Sequence, residues 1–448
     1  MPVTDLLERN HKLYGEEVAL VELNPTMKDT RKTTWKEYDL VQQTSSVPYR
    51  REITWSVFDE KANRVANMLL SRGVQKGDRV AILMFNCLEW LPIYFSSGTT
   101  GFPKAILHNH ESLLQAAQME QKHHLTNRDD VFLCIPPLYH TGAKFHWMGS
   151  LCAGSKAVLL KGTTPEIILD AVSKEHCTIV WLLVPWAQDI LDSLDRGDLK
   201  LENYELSQWR LMHIGAQPVP PSLIKHWKEY FPNHLYDTNY GLSESTGPGC
   251  VHLGIENIDK VGAIGIPGYR WSCKIVDENG NALPQGEVGE LCVQGPGMMT
   301  CYYNDPKATA ETIKDGWLFT GDMAMQDEDG FYFLVDRKKD VIVSGGENIY
   351  PVQIENFLSA FDKVKDVAVI GLPDKRLGEI TGAVISIKDG MECTEEEINE
   401  YCMKLPRYKR PKKLIFADVP RNATGKIEKP ALRKKYGAEY LVAQQNRA

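Results

Sequence analysis

The chain has 448 residues, of which 43% are apolar and 25% charged, an ordinary globular composition with enough length for two or more domains. A formal net charge of −8 argues against nucleic acid or an anionic membrane surface as the main partner and points to a small-molecule substrate. The ten cysteines are scattered, with no C-x-x-C pair and no Cys/His spacing suited to zinc, so they read as reduced thiols rather than as a disulfide framework.

The first twenty residues carry neither a basic n-region nor a long apolar stretch, and no later apolar run approaches the ~18 residues of a membrane span, so a cytoplasmic chain is expected. "ITWSVFDEKANRVANMLLSRG" predicts an amphipathic helix with Phe58, Ala62, Val65, Ala66 and Leu69 on one face, closed by Gly73. Val80 to Phe85 predicts a buried strand. "NCLEWLPIYF" then starts like a helix and runs straight into "FSSGTTGFPK", residues Phe95 to Lys104. That loop offers hydroxyls at Ser96, Ser97, Thr99 and Thr100, bare backbone at Gly98 and Gly101, and one cation at Lys104, the chemistry of a phosphate cradle. It is not a Walker A loop, because Pro103 stands where the second glycine belongs. A surface turn rich in small polar residues is the other reading, and the loop alone does not separate the two.

From residue 104 onward, helical stretches such as "HESLLQAAQMEQKHH" and "PPSLIKHWKEYF" alternate with the apolar runs "VFLCIP", "TIVWLLVP" and "LMHIGA", which predicts α/β layering around parallel strands. Beyond residue 255 the pattern becomes hairpins, in "WSCKIVDENGNALPQGEVGELCVQG" and "MAMQDEDGFYFLVD". After the polar joint "DRKKDVIVSGGENIYP" an α/β pattern returns. A domain boundary is placed there, with residues 1–338 as a large multi-subdomain N-terminal domain of parallel and mixed sheets plus a β-rich part. Residues 339–448 form a small α+β C-terminal domain. "HNHE" at His108 to Glu111 and the pair His123 and His124 invite a metal reading, but no cysteine or carboxylate partner has supporting spacing, so structural or exposed histidines are expected.

Taken together with the loop at Ser96, the stretches "NYGLSES" (Asn239 to Ser245), "WLFTGD" (Trp317 to Asp322), "VDRKKD" (Val335 to Asp340), "GGENIYP" (Gly345 to Pro351) and "RNATGKIEK" (Arg421 to Lys429) resemble the adenylate-forming superfamily, most closely the acyl- and aryl-CoA ligases. Several motifs in the right order are far more specific than any one of them. The resemblance implies ATP-dependent conversion of a carboxylic acid to an acyl-adenylate, then transfer to coenzyme A, with ATP, Mg²⁺ and coenzyme A as cofactors. It implies that Ser97, Gly98, Thr99, Thr100, Gly101 and Lys104 hold the β- and γ-phosphates. Lys426 would bring the catalytic cation to the α-phosphate, and Glu244 would bind magnesium.

By the same resemblance Ser243 keeps a hydroxyl where threonine is commoner, Tyr240 stacks on adenine, and Gly215 and Ala216, within "IGAQP", line it together with Gly241. Asp322 would bind both ribose hydroxyls, with Arg337 as a second ribose or phosphate contact. Lys339 would be the hinge of a mobile C-terminal domain, whose Gly345 and Gly346 let the pantetheine thiol pass. His140 in "PLYHTG" would line the carboxylate pocket with Gly241 and Thr246, and Trp147, Trp181 and Trp186 are candidate neighbours. No aspartate near "YHTG" is present to hold an α-ammonium, so the acid is expected to lack one. A homo-oligomer is compatible with this reading.

The chain departs from the family between Phe95 and Ser96, where further βα units are expected. At ~30 residues per βαβ unit the gap amounts to roughly 60 residues or more. A genuine deletion, an engineered junction and residues simply omitted are three readings. The last is preferred, because a real excision would strip partners from a buried sheet. A carrier-protein acceptor, or a non-catalytic nucleotide-binding relative if the deletion is real, are the functional alternatives.

Overall fold

The computed structural model describes residues 3–25, 32–35, 38–41, 48–75, 88, 105–136, 138, 141–215, 219–388, 390–421 and 427–445. The expected strand at 80–85, the loop and junction at 95–104, His140, Ala216 and Lys426 lie outside them.

The fold is mixed α/β. Its largest element is a seven-stranded sheet in the order Leu235–Asp237, Leu211–Gly215, Ile179–Leu183, Val131–Cys134, Lys156–Leu160, Val18–Asn24 and Tyr49–Thr54. All neighbours are parallel except the last pair. Ile179–Leu183 and Leu211–Gly215 are buried at every position, as parallel strands covered on both faces must be. Alternate residues serve opposite cores, because side chains leave a strand with a period of two. Leu133, Val180, Leu182, Met212 and Ile214 join one hydrophobic cluster, with Trp209 and Trp227. Phe132, Cys134, Ile179, Trp181 and Leu211 join the other. By the same alternation His213 shares the face of Leu211, and the register pairs it with Trp181.

The helices at Trp55–Ser71, His110–His123 and Pro221–Tyr230 fall where the hydrophobic spacing puts them. Thr54 and Asn109 cap the first two by accepting from Val57 N and Ser112 N. Of the face expected on the first helix, only Phe58 is buried, joined by Trp55, while Ala66 is exposed. Ala62 is only partly buried against the same core. No described helix is long and apolar enough to cross a membrane.

The strand-start end of the main sheet is fastened by ions. Asp130 accepts from Arg210 Nε and Nη2, each at 2.8 Å, from Thr178 Oγ1 at 2.7 Å and from Asn127 N at 2.9 Å. Burial pushes its carboxyl up, but the hydrogen bonds from Arg210, Asn127 and Thr178 pull it further down, so it sits below the usual aspartate value. A depressed carboxylate stabilises the fold above the unfolded-state pKa of about 3.9 and loses that contribution as pH falls through the folded-state value. Asp130→Ala is therefore expected to cost about 2–3 kcal/mol in urea unfolding at pH 7, less than for a fully buried pair because Arg210 keeps some solvent access. The deficit should shrink along the acid limb. A deficit independent of pH would assign the loss to packing.

Two β-rich units follow. Asn239–Leu242, Gly247–His252 and Ile266–Pro267 form an antiparallel sheet. Ser272–Val276, Gly289–Gln294, Trp317–Gln326 and Ile313–Lys314 form another, with Tyr332–Arg337 paired to Trp317–Gln326. The last sheet is built from Ile342–Ser344, Glu347–Ile349, Val364–Asp374, Gly378–Ile387 and Lys413–Phe416, and it carries the helices Pro351–Ser359, Glu395–Cys402 and Lys429–Gln445. Its two hydrophobic clusters contain no residue before Ile342. Asp336 ties the preceding chain to this part by accepting from Val352 N at 3.0 Å, and within it Asp340 pairs with Arg433 at 2.8 Å.

Candidate active site

Ligands of open α/β sheets bind outside the carboxyl ends of the strands, and Gly215 closes the strand Leu211–Gly215 at that end. A Cβ on Gly142 would sit 2.1 Å from the Trp181 ring, and one on Gly215 would be 3.8 Å from Trp181 Nε1. Trp181 thus lies between the segment following His140 and the end of this strand. Trp147 instead packs against Phe58, with ring centroids 6.2 Å apart, and Trp186 packs on the opposite core.

The 3₁₀ turn Ser243–Ser245 gathers chain from three directions. Ser243 Oγ is 3.0 Å from Thr141 Oγ1, and the Ser243 carbonyl accepts from His108 Nε2 at 2.7 Å. Glu244 Oε1 accepts from the Tyr302 hydroxyl at 2.6 Å, and the Glu244 carbonyl accepts from Met299 N at 2.6 Å. Cys301–Tyr302 pairs with Ile106–Leu107, the strand two residues after Lys104. The exit of the hydroxyl-rich loop is therefore anchored beside Glu244. Sequence reading missed Tyr302, which no local motif marks, and gave no site role to His108 in "HNHE" or Thr141 in "PLYHTG", because each earns its place only by pairing with distant chain.

Asp322 and Arg337 face each other in register on neighbouring strands, with Arg337 Nε 3.4 Å from Asp322 Oδ1. The Tyr240 hydroxyl donates to Asp322 Oδ2 at 2.5 Å. Burial, then the Asp322 charge, pushes the Tyr240 phenol far above its ordinary value, so it stays a donor. Tyr240 is buried, and its polar end is held by this carboxylate. The expectation for Thr246 also changes. It is fully buried, left-handed at φ 65°, and its hydroxyl lies 2.6 Å from the carbonyls of Ser245 and Gly297, so in this structure it holds the turn.

Lys339 lies in the turn after Tyr332–Arg337, and burial, then the Arg337 charge, lowers its ammonium pKa. Gly345 and Gly346 join two short strands at φ 61° and 90°, a pair of left-handed positions suited to glycine. A Cβ on Gly346 would meet nothing within 4 Å. His124, expected to be structural or exposed for want of a carboxylate, is buried against two of them: Glu120 Oε2 at 3.6 Å and Asp237 Oδ2 at 3.0 Å. Asp237 arrives from a strand 113 residues along the chain, beyond any spacing test, whereas Glu120 stands four residues earlier on the same helix, a spacing that the sequence reading overlooked.

Comparison with known proteins agrees with this geometry. The AMP-binding enzyme profile matches residues 34–96 and 91–303, and the AMP-binding enzyme C-terminal domain profile matches residues 353–426. A feruloyl-CoA synthase of Amycolatopsis sp is 33% identical over 353 residues, covering 77% of this chain and 70% of that protein. A 2-succinylbenzoate–CoA ligase of Bacillus anthracis is 33% identical, covering 78% and 71%. Among solved structures, the amide bond synthetase McbA of Marinactinospora thermotolerans superposes with a TM-score of 0.69 at 28% identity, over 75% of this chain and 68% of that one. The anthranilate CoA ligase AuaEII, bound to anthranoyl-AMP, shares the fold over 97% of both chains, with a TM-score of 0.83 at 22% identity. With carboxylates set at Glu244 and Asp322, and both family profiles matched in order, the chain belongs to the AMP-binding enzyme family of adenylate-forming ligases.

Proposed function

We propose that this protein activates a carboxylic acid with ATP and transfers the acyl group to coenzyme A. In the first half-reaction a carboxylate oxygen attacks the α-phosphorus, an acyl–O–P bond forms and pyrophosphate leaves. In the second the thiol sulfur attacks the acyl carbon, the thiol proton is lost and AMP leaves. The observation that carries this reading is the Asp322 carboxylate, oriented by Tyr240 on one oxygen and faced by Arg337 on the other, the geometry for gripping a vicinal diol. Glu244 fits a magnesium ion: it is a hard oxygen ligand with Oε1 held by Tyr302, which leaves Oε2 to bind. Such an ion would neutralise phosphate charge. The loop at residues 97–104 would supply backbone and hydroxyl donors to the phosphates, and Lys426 the cation at the α-phosphorus.

Residues 339–448 are proposed to act as a mobile unit pivoting at Lys339, a reading supported by the separate hydrophobic clusters on either side. An aromatic acid without an α-amine is the proposed substrate class. The names of the curated relatives support it, as does Trp181, which lies against the segment expected to line the carboxylate pocket.

The test is pyrophosphate release over a panel of aryl and alkyl carboxylates, with and without coenzyme A. Carboxylate-dependent release, followed by AMP and a thioester once coenzyme A is added, is the expected result. Release without thioester would move the acceptor to a carrier protein or an amine. Neither product would leave a nucleotide-binding protein without turnover.

A further inference from the structure

The reaction above leaves unused a cluster that the chain assembles from five elements. Glu120 and His124 come from the helix His110–His123 and its C-cap, and His146 from the helix Thr141–Ala153. His213, Asp237 and His252 come from the strands Leu211–Gly215, Leu235–Asp237 and Gly247–His252. None of the six is more than 4% exposed.

Two buried carboxylates require two positive charges, since an uncompensated buried ion costs several kcal/mol. Among the described residues every ion pair of Glu120 and Asp237 is to a histidine and none is to lysine or arginine. Two imidazolium protons or one divalent cation would meet the need, and the hydrogen positions separate these arrangements. His146 Nδ1 is 2.7 Å from the Gly142 carbonyl, which only an N–H can satisfy, so in the neutral ring Nε2 carries a lone pair. That Nε2 lies 3.0 Å from Glu120 Oε2, yet the two atoms lack hydrogen-bond alignment and both are buried without a hydrogen-bond partner. His124 Nε2 is within 3.6 Å of three acceptors: His213 Nδ1 at 2.9 Å, Asp237 Oδ2 at 3.0 Å and Glu120 Oε2 at 3.6 Å. One N–H can serve only one of them. With His146 neutral, lone pairs on His146 Nε2, His213 Nδ1, Glu120 Oε2 and Asp237 Oδ2 converge around the single N–H that His124 Nε2 can supply, and a cation would satisfy them together.

We propose that His124, His146 and His213 bind one divalent transition-metal ion of the zinc class, with the Glu120 carboxylate completing the set. One ligand nitrogen from each of the three imidazoles lies within 4.8 Å of the others, and a tetrahedral ion with bonds of about 2.0–2.1 Å holds its ligands about 3.3 Å apart. Imidazole with carboxylate suits zinc, cobalt or nickel and disfavours magnesium or calcium, which prefer oxygen. The outer contacts are in place: Gly142 O fixes the His146 tautomer, and Asn239 Nδ2 and His252 Nε2 hold the other Glu120 oxygen at 3.0 and 3.2 Å. The ion is structural, tying two helices to the central sheet, and this assignment does not depend on the reaction proposed above.

The test uses the full chain expressed in minimal medium supplied with Co²⁺ or with Zn²⁺, then gel-filtered in EDTA to strip surface and Glu244-bound ions. About one ion per chain is expected by elemental analysis. The cobalt form should show the visible bands of a low-coordinate site and paramagnetically shifted imidazole N–H resonances. His146→Gln should lower the retained metal at least tenfold, whereas His226→Gln, on a surface helix, should leave it unchanged. No retained metal from either medium would overturn the proposal and leave a doubly protonated ion-pair network in its place. If His146→Gln fails to fold, the shifted resonances of the unsubstituted chain decide alone, and one ion without them would also overturn it.

Discussion

Lys426→Ala should bind ATP as tightly as the unsubstituted protein and lose adenylation by about 10²–10³-fold, the usual loss when one charge-stabilising donor is removed from a transition state. Negative charge grows on the equatorial oxygens of the pentavalent phosphorus only as the carboxylate attacks. A cation placed there therefore acts on the barrier more than on binding. The segment carrying Lys426 is fastened at both ends. Arg421 makes a bidentate pair with Asp366 at 2.8–3.0 Å and bridges to Ile427, while Lys429 is buried against Glu355 at 2.8 Å. Pyrophosphate release at saturating ATP and carboxylate, with ATP affinity measured by calorimetry, checks this. An unchanged rate would remove Lys426 from the reaction. The variant should still convert preformed acyl-adenylate to thioester, since thiol attack creates no new charge on phosphorus.

Lys339→Pro should separate the two half-reactions in the opposite sense, slowing thioester formation on the order of 10²-fold while adenylation changes by a few-fold. A misplacement of about 1 Å at reacting atoms has that effect. Proline locks φ near −65°. Position 339 lies between two hydrogen bonds that fix its surroundings, Lys338 N to Gly321 O at 3.0 Å and Asp340 N to Arg337 O at 2.8 Å. If the unit after Lys339 must turn to bring Gly345 and Gly346 to the thiol, rotation about this backbone is the step proline removes. Single-turnover measurement of each half-reaction is the check. Equal loss in both would indicate general destabilisation and no hinge.

The sequence by itself determined the layering, because burial on both faces leaves apolar runs such as "TIVWLLVP" and "LMHIGA", and their alternation with amphipathic helical stretches points to covered parallel strands. Its family resemblance also singled out the short motifs that hold Glu244, Asp322 and Arg337, each recognisable because its residues are neighbours along the chain. Only the tertiary structure decided what those residues touch. Tyr240, read as an adenine platform, donates to Asp322, and Thr246, read as a pocket wall, spends its hydroxyl on two carbonyls. Tyr302 reaches Glu244 across 58 residues. The histidines make the contrast sharpest. His124, His146, His213 and His252 stand in four unrelated stretches, of which only that of His124 carries a ligand at helical spacing, Glu120 four residues earlier, yet sheet order and strand alternation bring them to the same two carboxylates. Spacing along the chain reports only partners within one element. Partners from different elements are chosen by sheet order and strand pairing, which no local pattern encodes.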